Sequence, residues 1–324
     1  MRLSRASRVP VWLCLLWLLV LGAAQAAEQP TWQQLRAHYD YDAQMPLEVR
    51  ADEPVARGPV TVQTVRFNSI NDETVPATVC VPTQSGKTPV VLFLHGLGGS
   101  KSDATTVVAP LLCQMGVAIV SIDAQYHGDR KVEGKDVFSG DIETMIGAFR
   151  QTIVDNRRAV DYIASRDDLD SDRVVLVGAS MGGIMGSIVA ALDERIKGAA
   201  LIVGGGDLVG LFEGSQIDAA AQLRQQLIDL EPYRGALAFI EPTNFAAHIA
   251  PRPLHMINGR DDKIVIASSG QALFEAAREP KQIAWYEGGA MDGHMPPIGL
   301  LIRELRGFMQ AQGLIATAAQ TQPE

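Results

Sequence analysis

The sequence predicts an α/β domain: a mostly parallel central sheet with helices on both faces and a small helical cap. Three observations predict it. Five apolar runs, PVVLFLHG (89–96), VAIVSID (117–123), RVVLVGAS (173–180), AALIVGGG (199–206) and PLHMING (253–259), read as strands covered on both faces. Helical patterns lie between or after them, over about 102–115, 141–165, 181–193, 267–277 and 296–312. The chain has 324 residues and is 47% hydrophobic, enough to bury such a sheet on both sides.

Taken in order, the first 26 residues stand apart from that domain. Arg2, Arg5 and Arg8 precede an apolar run near Val11 to Leu21, and Ala24-Gln25-Ala26 follows. This is the order of a cleavable signal peptide, with cleavage near Ala26 and a periplasmic or secreted destination for the mature chain. The apolar run falls short of the roughly 20 residues that span a bilayer. Residues 27–59 are polar and mixed, and read as an N-terminal arm. VTVQTVRF (60–67) and VPATVCVP (75–82) flank the turn SINDET and read as an antiparallel hairpin. The strand and helix runs follow, with QIAWYEGG (282–289) as a further strand, and the domain closes near residue 312. Residues 313–324 form a polar tail. The stretch of about 207–245 breaks the alternation and reads as a cap over the strand ends. Within it Leu223, Leu227 and Leu230 share one helical face.

Composition excludes several classes. The formal charge is −9, and loss of the three leader arginines takes it to −12. So acidic a protein has no electrostatic footprint for nucleic acid. The six histidines are scattered, with no metal-ligand spacing, so no metal is expected. Cys80 and Cys113 remain after export, either as a disulfide or as two small buried apolar residues. The Gly-rich turn HGLGGSKS holds no nucleotide. Ser100 stands where a Walker loop needs glycine before Lys101, and Lys101 stands where the dinucleotide fingerprint needs its last glycine.

The run VVLVGASMGG carries chemistry instead. GASMG matches G-x-S-x-G, a strand-to-helix turn that raises a serine above the sheet. The flanking glycines, Gly178 and Gly182, avoid collision with the neighbouring strand and helix, and the amide of Met181 points toward the same place. Ser180 needs a histidine base oriented by a carboxylate, in the chain order Ser, Asp, His. Of the histidines that follow, His255 lies in an apolar strand and His248 precedes the acid candidates. His294, in the loop DGHMPP, satisfies order and placement. Asp261 and Asp262 follow PLHMING, and Asp207 is a third possibility. The loop HGLGG offers the Leu97 amide as a second oxyanion donor, with His95 as a hydrogen-bonding strut. Leu211, Phe212, Trp285 and the loop around Tyr126 and His127 are candidates to shape the pocket.

The segments FLHGLGGSKSD, IDAQYHGDR, LVGASMGG, INGRDDKIV and WYEGG…GHMPP together resemble the α/β-hydrolase superfamily. More narrowly they are similar to exported bacterial serine esterases of the dienelactone-hydrolase and prolyl-oligopeptidase-like type. The resemblance implies the α/β-hydrolase fold over 60–312, a Ser180–Asp262–His294 triad, no cofactor and a small-molecule ester substrate. It selects Asp262 over Asp261, because the acid of such proteins closes a G-x-x-D run with an apolar residue three later; here these are Gly259, Asp262 and Val265. One departure is visible: Ala-Met-Asp-Gly separates Gly288-Gly289 from His294, where relatives place the histidine directly. A thioesterase, a short-peptide hydrolase and a polyester depolymerase would use the same machinery. A non-catalytic binder on this fold would have no need of all three side chains.

Overall fold

The computed structural model describes residues 29–83, 86–226 and 231–316. The leader and the end of the polar tail fall outside this set, as do Leu227 and Leu230 of the leucine face. The elements run, in chain order, α1 (Trp32–His38), β1 (Arg50–Ala51), β2 (Val55–Arg57), β3 (Val60–Asn68), β4 (Thr74–Pro82) and β5 (Thr88–Leu94). An irregular helical segment, Ala104–Met115, has α2 (Ala109–Leu112) at its centre. Next come β6 (Ala118–Ile122), α3 (Ile142–Ala164), β7 (Leu169–Ala179), α4 (Met181–Leu192) and β8 (Ile196–Ile202). The cap contributes α5 (Leu208–Gly214), α6 (Asp218–Gln226), α7 (Arg234–Leu237) and α8 (Thr243–Ala246). The chain then closes with β9 (Leu254–Gly259), α9 (Ala267–Ala276), β10 (Lys281–Tyr286) and α10 (Ile298–Ala311).

The strands form one sheet in the order β1-β3-β4-β6-β5-β7-β8-β9-β10, with β2 also on β3. From β6 to β10 every neighbouring pair is parallel, whereas β3 and β4 form the expected antiparallel hairpin. This is the α/β-hydrolase fold.

Alternation along the strands explains why the central runs are apolar throughout. Val90, Leu92, Val174 and Leu176 point into a core shared with α3 and α4. Val91, Phe93, Val175 and Val177 point into a second core, with the 104–115 segment and α10. Both faces are covered, so both registers are filled mainly by apolar side chains.

The strand order also places the site. The chain leaves β5 toward β6 and returns on the other side of β5 as β7. Connections therefore diverge at the ends of β5 and β7, opening a crevice at that switch point. The register Leu94↔Gly178 sets those two ends side by side, and Ala179↔Ile202 and Gly259↔Tyr286 continue the line. The loops after β5, β7, β9 and β10 thus leave the sheet along one rim.

Two regions add to the sequence reading. The arm is fastened to the body near its start. Tyr39 is fully buried and its hydroxyl donates to the Phe239 carbonyl, 2.8 Å away, while Trp32 stacks on His248 at 3.6 Å. The segment 104–115 is not a plain α-helix: it opens as a π turn and ends as a 3-10 turn. Pro110 at the start of α2 cannot donate a backbone hydrogen bond, so the N-terminal turns adjust around it.

Candidate active site

The nucleophile turn is built by steric exclusion. Ser180 has φ 56° and ψ −119°, a backbone that costs an L-residue energy unless its surroundings fix it. The surroundings are two glycines. A Cβ at Gly178 would lie 2.2 Å from the Gly182 carbonyl oxygen, and one at Gly182 would lie 2.1 Å from the Leu94 carbonyl oxygen. The start of α4 can therefore sit directly on the ends of β5 and β7. The Ser180 N–H donates to the Ile202 carbonyl at 2.8 Å, which fastens the turn to β8.

The three side chains singled out in the sequence meet at this turn. The Ser180 hydroxyl donates to His294 Nε2 at 3.0 Å, and His294 Nδ1–H donates to Asp262 Oδ2 at 2.8 Å. An ionised carboxylate only accepts, so the imidazole proton resides on Nδ1 and leaves Nε2 free to accept. Asp262 is held in turn: its Oδ1 accepts the Ile264 and Val265 amides at 2.7 and 3.0 Å. Its carboxylate is fully buried, so its charge acts through a low-dielectric path.

The long loop before His294 does not carry the imidazole away. Met291, Asp292 and Gly293 take consecutive left-handed backbones, and an Ala290–Met295 bridge closes the loop on itself. Tyr286, at the end of β10, puts its hydroxyl 2.9 Å from both the Gly293 and His294 carbonyl oxygens. Burial, and then the nearby carboxylates Asp262 and Asp261, push its pKa well above the ordinary phenol range, so it remains a donor. Asp261 accepts the Gly288 amide, at 3.1 and 3.2 Å to its two oxygens, and the Lys263 amide donates to the Asp292 carbonyl at 3.2 Å. The neighbouring acids thus divide the work: Asp262 faces the imidazole, and Asp261 fastens the loop that bears it. Asp207 lies elsewhere, 3.5 Å from Arg234 at the start of the cap.

The loop after β5 lies against the nucleophile. A side chain at Gly96 would come within 3.4 Å of Ser180 Cβ. Among the described residues neither the Leu97 nor the Met181 amide has a hydrogen-bond partner, which leaves two N–H groups beside the serine. His95 is a strut: Nδ1–H donates to the Gly96 carbonyl at 2.8 Å and Nε2 accepts the Ala124 amide at 3.1 Å. Burial lowers its pKa, in keeping with a neutral ring. Lys101, also buried, reaches Asp123 and Asp129 at 2.8 Å each, tying the same loop to the one after β6. Burial opposes the Lys101 charge, but the bonds to both aspartates outweigh it and its pKa stands raised.

A cavity of about 30 Å³ opens beside Ser180, with Leu97, Met181, Phe138, Leu211 and Phe212 in its wall. Leu211 and Phe212 are therefore placed as the sequence suggested. Trp285 is not: it lies against α9 at Gly270, under the Arg260 guanidinium 5.1 Å away. Tyr126 and His127 are also absent from this wall; His127 packs on His95, with ring centres 5.3 Å apart. Two larger clefts, of about 560 and 510 Å³, lie at the far end of α4 and at the start of β9, remote from Ser180. The second holds His255, paired with Glu304 at 3.2 Å. Cys80 and Cys113 are free and buried, with pKa values pushed up by burial to about 11 and about 12. Among the described residues no group of three or more potential ligands gathers to hold a metal ion, and no helix is long and apolar enough to cross a membrane.

Sequence reading missed Tyr286 and Phe138, and weighed Asp261 only as the triad acid. Tyr286 and Asp261 act through backbone hydrogen bonds, and Phe138 comes from a loop without periodicity. The only signal for Tyr286 was its place directly before the paired glycines of the histidine loop.

The chain is similar to known esterases and hydrolases. The profile of the acetyl xylan esterase (AXE1) family matches residues 32–204. The putative hydrolase YtaP of Bacillus subtilis (strain 168) is 29% identical over 279 residues, covering 80% of this chain and 88% of its own length. The esterase YjfP of Escherichia coli (strain K12) is 28% identical over 199 residues, covering 59% and 77% respectively. Among solved structures, an acetyl xylan esterase from Paenibacillus sp. R4 superposes with a TM-score of 0.71 at 19% identity, over 86% of this chain and 92% of that one.

Proposed function

The chain belongs to the acetyl xylan esterase (AXE1) family and is an esterase, and from that premise we propose that it is an exported serine hydrolase acting through Ser180, His294 and Asp262. The observation that carries the mechanism is the continuous hydrogen-bond line from the Ser180 hydroxyl through the imidazole to a buried carboxylate.

The steps follow from that line. Ser180 Oγ attacks the ester carbonyl carbon while His294 Nε2 takes its proton. The imidazolium that forms is stabilised by Asp262. The carbonyl oxygen becomes an oxyanion that accepts from the Leu97 and Met181 amides, each typically worth about 3–4 kcal/mol. His294 returns the proton to the leaving alcohol oxygen, and an acyl-enzyme remains on Ser180. A water molecule then repeats the sequence, giving up a proton to His294, and the acid leaves as Ser180 recovers its hydrogen.

The substrate is a small carboxylic ester. The cavity of about 30 Å³ beside the nucleophile matches a short acyl group, and solved neighbours bear the name acetyl xylan esterase. Acetyl esters are accordingly the expected substrates. Export rests on residues 1–26, and the proposed organisation is a hydrolase domain over 60–312 with a cap insertion near 207–245. The test is Ser180→Ala: the variant folds like wild type and loses turnover of p-nitrophenyl acetate. Undiminished turnover in that variant discards the mechanism.

A further inference from the structure

We propose that Phe138 and Phe212 set the acyl-chain length this esterase accepts, and that Phe212 is the side chain against which the acyl group ends. The inference rests on the Ser180 reading above and deepens it by naming the residues that select the substrate.

The cavity beside Ser180 has two kinds of wall. Its floor is Met181 and Ile184 of α4, part of the catalytic turn and its helix. Its roof is Leu211 and Phe212 of α5, together with Phe138 from the loop between β6 and α3. The cavity of about 30 Å³ has room for about two water molecules, so it suits a short acyl group.

The roof is not free to retreat. The Phe138 ring packs edge-on against Phe212 at 5.4 Å and against Phe149 at 5.8 Å. Phe149 is fully buried in α3, so the aromatic series ends in close-packed core. The helix bearing Phe212 is pinned at both ends. Glu241 accepts the Asp207 and Leu208 amides at 2.8 and 2.7 Å. Arg224 of α6 donates to the Phe212 carbonyl and, at 2.8 Å, to the Ser215 carbonyl. A longer acyl chain must displace the Phe212 ring against Phe138 and, behind it, the buried Phe149, and such overpacking is costly. Removing the ring instead joins its volume to the cavity.

The roof is supplied by the cap and a loop, apart from the sheet and the triad. Chain-length preference can therefore change without moving the nucleophile, its base or the oxyanion amides.

The experiment compares kcat/KM for p-nitrophenyl acetate, butyrate and octanoate in wild type, Phe212→Ala and Phe138→Ala, with Phe212→Leu as the milder change. Cooperative thermal melting qualifies each variant. One methylene in a hydrophobic pocket is worth about 10–200-fold. Wild type is expected to prefer acetate over butyrate by at least about 10-fold, and Phe212→Ala to raise the butyrate-to-acetate ratio by at least about 10-fold. The smaller change in Phe212→Leu raises it less. Wild type that takes octanoate as well as acetate overturns the proposal, as does a butyrate-to-acetate ratio held within about two-fold by every folded variant. The two readings fail separately: wild type that cleaves these esters but is not labelled at Ser180 by a serine-directed fluorophosphonate refutes the mechanism, whereas labelled wild type with unchanged ratios in the variants refutes only the role of the two phenylalanines.

Discussion

Tyr286→Phe removes one oxygen and leaves the ring in place between Gly259 and Gly289, the glycines it packs against. The lost hydroxyl serves the Gly293 and His294 carbonyls, both 2.9 Å away. A buried hydrogen-bonding group left without its partner costs about 1–3 kcal/mol, so melting should fall by several degrees. The larger effect is kinetic. The two carbonyls belong to the residue that carries the base and to the one before it. A displacement of roughly 1 Å at a catalytic group costs on the order of 100-fold. Since the imidazole stays tethered to Asp262, kcat should fall about 10–100-fold, while KM stays within about three-fold because no acyl-pocket residue is touched. The assay is p-nitrophenyl acetate hydrolysis beside a thermal melt. A variant that melts lower yet keeps kcat within two-fold of wild type would show that Tyr286 supports the fold without positioning the histidine.

Two further outcomes are expected. Asp262→Ala should lower kcat by about 10⁴-fold, as losses of the orienting carboxylate do, whereas Asp261→Ala, which releases only the Gly288 amide, should lower it about 10-fold or less; equal losses would contradict the division between them. Stability should decline on acidification below about pH 6.5. Burial holds the folded-state pKa of His95 below its ordinary 6.5, so the unfolded chain binds more protons between those values and the slope of stability with pH is positive there. The slope per such group is at most about 1.4 kcal/mol per pH unit, and His255, lowered by burial despite Glu304, adds to it. A melting temperature unchanged from pH 7 to pH 5 would refute this; His95→Gln should flatten part of the slope.

What could be read from the sequence follows from where the information resides. The run PVVLFLHG is apolar because both faces of β5 are covered, a property of its own residues and of nothing distant. Ser180 was legible for a related reason: the glycines that its turn requires lie within two residues of it. The choice of Asp262 over Asp261 was not local, and it came from resemblance, since both follow the same strand. The docking of residues 29–59 was illegible because Tyr39 finds its partner 200 positions away. Trp285 was misplaced because a strand residue's face depends on its neighbours, here Gly270 and Arg260. Phe138 sits in an irregular loop, where no period points to a partner; only the folded cap brings Phe212 against it.

The central claim is that Ser180 is activated by His294 and attacks a carbonyl carbon. Reaction with a serine-directed fluorophosphonate, followed by peptide mass mapping, tests it most directly. One adduct per chain is expected, on the peptide containing Ser180, with labelling slowed at least about 10³-fold in His294→Ala. An enzyme that cleaves esters yet carries no adduct at Ser180, or one labelled equally fast without His294, would contradict it.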